Sequence, residues 1–120
     1  MLLPVLSMMS CDIALTLLGQ PSWYWMGDPE SVQELNPLAR WLLQQSPWLF
    51  LSLAILWMVL VSVVLLFWRH RFTKWIALVF TFAHAIGAST WLIRLGALGW
   101  FGAVALLFVA ERLWRLSRPG

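Results

Sequence analysis

The chain has 120 residues, of which 62% are hydrophobic and only 11% charged, with a formal net charge of +3. Soluble domains carry about 45–50% apolar and about 25% charged residues, and so short a chain has too little interior to hide this much apolar surface from water. A soluble enzyme domain is thereby excluded. The eight Lys and Arg lie at the ends of apolar runs and form no basic face, so no nucleic-acid partner is expected and the bilayer is the natural solvent.

A helix needs about 20 apolar residues to cross about 30 Å of hydrocarbon. The first run predicts a span at residues 2–19, weakened by Pro4 and Asp12. No Lys or Arg precedes it and Asp12 interrupts it, so it reads as a retained span and not as a cleavable signal peptide. Cys11 is the single cysteine, and it reads as an inert packing residue with no internal disulfide to make.

Residues 20–47 form the one long connection. Within it, Glu34 stands three residues after Ser31 as in a capping box. Alternatively, Asn36 caps a helix that has Pro37 at its first position. Leu38, Trp41, Leu42 and Gln45 then share a face, and the segment reads as interfacial or re-entrant.

Three further spans are predicted at residues 48–68, 75–95 and 97–114. Ser46 before Pro47 gives the second a cap and a proline in its first turn. Gly96 and Gly99 bracket a tight turn that makes the third and fourth antiparallel neighbours. The tail Ser117–Gly120 is expected to fray. The fold class is thus all-α: a polytopic membrane bundle of about four transmembrane helices plus one short interfacial or re-entrant helix, in a single domain over 1–120.

Arg69, Arg71 and Lys74 follow the second span, and Arg112, Arg115 and Arg118 end the fourth, whereas the long connection holds Asp28, Glu30 and Glu34 against Arg40. The positive-inside rule then puts both termini in the cytoplasm and the long connection outside a plasma (inner) membrane. Ten tryptophans are present, and Trp23, Trp25, Trp48, Trp68, Trp75, Trp100 and Trp114 lie near span ends, where an amphipathic ring is favoured. Arg94 reads as snorkelling to headgroups, with a hold on Asp28, Glu30 or an anionic ligand as its alternative. His70 is expected at the surface. Glu111 and Arg115 are expected to form a surface pair worth about 0.3–0.5 kcal/mol.

Asp12 is the residue with most chemical content. An acid inside a span costs about 2.5–3.5 kcal/mol on insertion scales, so it needs a partner or a role. Thr16 is one turn on, on the same face. Asp12 and His84 each lie about ten residues into spans that start on the same side, about 15 Å deep at about 1.5 Å per residue. They can therefore meet and satisfy one another. Ala77, Thr81, Ala88 and Trp91 share the face of His84, and small residues there suit close packing. The contact reads either as a bond that fixes helix register or as a functional polar site.

Asp12 with Thr16, then Glu34, Asn36 and Pro37 after a variable connection, then His84, resembles a family of small prokaryotic membrane proteins catalogued as domain of unknown function 5658. The likeness covers roughly residues 8–95. It implies a multi-span helical fold and a shared polar cluster of Asp12, Thr16, Glu34, Asn36 and His84, without naming an activity.

If the long connection folds back into the bundle, Asp12, Glu34 and His84 offer two carboxylates and an imidazole to a divalent metal. No HExxH, nucleophile elbow, phosphate loop or dinucleotide fingerprint is present, so no catalytic residue is assigned. Three functions fit. The chain is a structural or accessory protein that packs against itself or a larger membrane complex, an intramembrane metal-binding protein or enzyme, or a small proton- or cation-coupled transporter that uses Asp12. The last resembles the small multidrug resistance transporters in size. It departs from them in its long first connection, its Asp in place of Glu, and its strong charge bias.

Overall fold

This computed structural model describes residues 1–118; Pro119 and Gly120, the end of the tail expected to fray, lie outside the described residues. Six α-helices follow in order: α1 Leu2–Leu18, α2 Ser22–Trp25, α3 Pro37–Gln45, α4 Pro47–Phe67, α5 Thr73–Leu92 and α6 Ala97–Ser117. Short 3-10 turns occupy Pro29–Ser31 and Ile93–Leu95, and no strand occurs among the described residues. The all-α class is as read from the sequence.

Three helical segments, Pro47–Phe67, Thr73–Leu95 and Ala97–Ser117, are long and apolar enough to cross a membrane, while Leu2–Leu18 is a shorter apolar helix. At about 1.5 Å per residue, α1 reaches about 26 Å, a little under the hydrocarbon thickness. Pro4 does not break it, because a proline in the first turn gives up an N–H that had no intrahelical partner. α1 packs against α5, α4 and α6, with Val5, Met8 and Met9 almost wholly buried.

Local chemistry explains where the other helices start. The two possible starts of α3 are resolved in favour of Asn36, whose side chain accepts from the N–H groups of Leu38 at 3.0 Å and Ala39 at 3.3 Å. Pro37 disfavours helix at the residue before it, so no helix runs through from Ser31. Ser46 caps α4 by accepting from Trp48 N–H and Leu49 N–H. Gly96 makes the last turn with φ of 80°, a left-handed backbone that favours glycine. Gly99 then lies inside α6 against α5: a Cβ there would sit 1.8 Å from the Leu92 carbonyl oxygen.

The long connection folds onto the end of the bundle. Tyr24, Val32, Leu43 and Phe50 form one small core, and the Tyr24 hydroxyl donates to the Leu43 carbonyl at 2.8 Å. Burial pushes the Tyr24 phenol above its ordinary value by disfavouring the phenolate. α3 packs on α4 through Leu43, while Leu38 and Trp41, placed by the sequence on a common face, stay exposed. Most of the tryptophans expected at span ends are exposed, but Trp114 is buried at 8%, where it packs with Val5, Met9, Val61 and Ala77. It is a core residue, because α1 covers it.

Candidate functional site

The seam between α1 and α5 is built from spacing. Along α1, Val5, Met8, Met9, Asp12 and Thr16 recur at helical intervals and face inward. Along α5, Ala77, Thr81, Ala85 and Ala88 have no exposed surface, giving a stripe of small residues that lets a neighbouring backbone come close. Val5 and Met9 pack with Ala77, Met8 packs with Ala85, and Gly19 lies against Trp91. Rising numbers meet rising numbers, so α1 and α5 run parallel. Thr81 satisfies its own hydroxyl by donating to the Ala77 carbonyl at 2.8 Å.

Midway along this seam, His84 Nδ1 lies 2.8 Å from Asp12 Oδ2. The carboxylate can only accept, so Nδ1–H donates. The two side chains are 22% (Asp12) and 24% (His84) exposed, and the imidazole stacks on Phe80 with ring centroids 6.0 Å apart. Gly87, one turn after His84, is the residue that makes room: a Cβ there would stand 2.8 Å from Asp12 Oδ2 and 3.0 Å from Oδ1. The carboxylate therefore rests directly on the α5 backbone, held between a glycine and an imidazole.

The other residues named from the sequence lie apart from this contact. Thr16 is 4% exposed on α1, and its carbonyl accepts from Gln20 Nε2 at 2.9 Å. Glu34 and Asn36 act locally in the long connection: Glu34 Oε1 accepts from Asn36 N–H at 2.9 Å and Asn36 caps α3. No group of three His, Cys, Asp or Glu that could hold a metal ion occurs among the described residues. The set Asp12, Glu34 and His84 is thus not assembled, because the Asn36–Pro37 helix start holds Glu34 with its own neighbours.

Sequence reasoning missed the anchor of that connection. Gln20, only 5% exposed, grips residue 33 with both ends of its amide: Nε2 donates to the Gln33 carbonyl and Oε1 accepts from Gln33 N–H, each at 2.9 Å. Gln33 Oε1 in turn accepts from Arg94 at 3.2 Å, and the Arg94 guanidinium lies 4.1 Å from the centroid of the Trp91 ring. Arg94 thus bonds the long connection through Gln33, with the face of an aromatic ring beneath it. A glutamine directly after a helix carries no distinctive signal, since its partner is backbone thirteen residues away. Cys11 is a half-buried free thiol.

A family model described as Domain of unknown function (DUF5658) matches residues 5–103, which takes in α1 from Val5, the long connection, α4, α5 and the start of α6. No curated protein and no solved structure matches the chain.

Proposed function

The chain belongs to the family described as Domain of unknown function (DUF5658), and we propose that it is a four-span membrane protein whose Asp12–His84 pair is an internal lock in a structural or accessory subunit of a membrane complex. Both termini face the cytoplasm of a plasma membrane in this reading. The observation that carries it is the seat of the carboxylate: Asp12 on α1 is bonded to His84 and pressed against Gly87, both on α5, so the contact ties the two helices together. A partly buried polar pair of this kind fixes which rows of two apolar helices face each other.

Two features support four spans. α1 runs parallel to α5 along a shared seam, so a membrane crossed by α5 is crossed in the same sense by α1. The Met1 nitrogen also donates to the Ser117 carbonyl at 3.3 Å, which puts the start of α1 beside the end of α6. Arg69, Arg71, Lys74, Arg112, Arg115 and Arg118 gather at that same end, in agreement with the positive-inside rule.

The tests are separable. In a Cys11→Ser background, single cysteines at positions 28 and 70 are labelled with a membrane-impermeant thiol reagent on intact cells. Labelling at 28 alone is expected; labelling at 70 from outside would reverse the topology. Asp12→Asn and His84→Gln are then measured for stability, metal content and proton-driven cation flux in vesicles. Lower stability with no change in metal or flux is expected. Stoichiometric metal or Asp12-dependent flux in the wild type would replace the structural reading by the metal or transporter one.

A further inference from the structure

At the end of the bundle opposite the outer connection, the loop between α4 and α5 and the last turn of α6 enclose a cleft of about 580 Å³. Its polar walls are Arg71, Lys74, Arg118 and His70, with Trp75 and Trp114 as aromatic walls. No carboxylate among the described residues lines it. The only Lys or Arg that pairs with an acid among the described residues is Arg115, which pairs with Glu111, so Arg71, Lys74 and Arg118 have no acidic partner among those residues.

The loop is ordered before any ligand arrives. Thr73, 5% exposed, donates its hydroxyl to the Trp68 carbonyl at 2.7 Å and accepts from His70 N–H at 3.3 Å. His70 Nδ1 accepts from Phe72 N–H at 3.2 Å, which leaves Nε2–H as the donor of the neutral ring. Arg71 lies over the Phe72 ring and Lys74 over the Trp75 ring, so aromatic faces hold the two cations in place.

We propose that this cleft binds the phosphate group of an anionic ligand, either the phosphodiester of an acidic phospholipid headgroup or a soluble phosphate. A scatter of basic residues would serve orientation alone. A preorganised pocket with cationic groups, a spare N–H donor and aromatic walls at the bilayer surface is instead built for a headgroup, and the guanidinium fork matches phosphate oxygens.

The test compares two triple variants of equal charge at the same end of the protein. One is Arg71→Gln/Lys74→Gln/Arg118→Gln, in the cleft; the other is Arg69→Gln/Arg112→Gln/Arg115→Gln, outside it. Each is reconstituted with mixed phosphatidylcholine and phosphatidylglycerol, and retained lipid is read by native mass spectrometry; inorganic phosphate is titrated separately against tryptophan fluorescence. The single variant Lys74→Gln, at an exposed residue, stands in if the cleft triple does not fold.

The wild type is expected to retain phosphatidylglycerol in preference to phosphatidylcholine. The cleft triple is expected to lose about ten-fold more of that preference than the outer triple, because only the cleft groups bond the phosphate oxygens directly. Cleft-dependent binding of inorganic phosphate without lipid preference would name the soluble source and keep the site. Equal loss in both triples, or no anionic preference in the wild type, would overturn the proposal.

Discussion

At Gly87 a hydrogen stands where any other residue would put a methyl group against the Asp12 carboxylate. Gly87→Ala is therefore expected to push Asp12 off its seat and cost about 1–3 kcal/mol, the usual penalty for overpacking. The cost should shrink in an Asp12→Ala background, where the obstacle is gone; equal costs in both, read from thermal or denaturant unfolding, would separate Gly87 from the pair. Asn36→Ala removes the side-chain oxygen that caps α3 and is expected to cost about 1 kcal/mol, with protection from hydrogen exchange falling at the start of α3. At this scale the sequence was most informative where a residue's chemistry is local or its depth is set by helix rise. Asn36 and Ser46 as caps and the Asp12–His84 contact all belong here. Glu34 was not legible in the same way. Its carboxylate faces a choice between a near backbone N–H and a distant imidazole, and only the path of the connection decides it.

Between elements, close approach is set by glycine and alanine. Gly99→Ala would place a Cβ 1.8 Å from the rigid Leu92 carbonyl, so α5 and α6 would have to separate. This is expected to be the more damaging of the two glycine substitutions, about 3 kcal/mol or more, because backbone cannot yield as a side chain can. Unfolding of both variants ranks them; a milder Gly99→Ala than Gly87→Ala would contradict the tight α5–α6 turn. At the other end, Gln20→Leu removes both bonds to residue 33. Limited proteolysis should then cut within residues 26–36 while the long helices stay intact. The long helices and α3, with most of their boundaries, could be read from apolar runs, caps and turn residues, whereas the short α2 was not predicted. The enclosure of α1 could not be read from them. α1 has the weakest span signal, yet an interrupted, polar-bearing helix gains most from enclosure by its neighbours, and that enclosure is also what turns Trp114 from an interface residue into a core one.

The whole molecule is a thin slab, 48 × 32 × 17 Å, with 7874 Å² of accessible surface, against about 6,600 Å² for a compact soluble protein of this mass. A layer so thin leaves most apolar side chains facing outward. In water that would be a large destabilising patch, whereas in lipid it is solvated. α4, the most apolar helix, buries only Phe50 and Val61, which is what a lipid-facing span requires. Membrane character was legible from composition alone because it is a property of the average residue. The role of the Asp12–His84 contact is not such a property, since the same two groups in the same place serve register, metal binding or proton movement, and what decides among these is energetic coupling.

That coupling is directly measurable. A double-mutant cycle on Asp12→Ala and His84→Ala, with unfolding followed in a bilayer-like environment, isolates the pair from the two single truncations. The account predicts a favourable coupling of about 1–2 kcal/mol, in the upper range for polar contacts between membrane helices, with the double variant still folded and inserted. A coupling indistinguishable from zero would mean that the two side chains do not hold α1 to α5, and would contradict the structural lock.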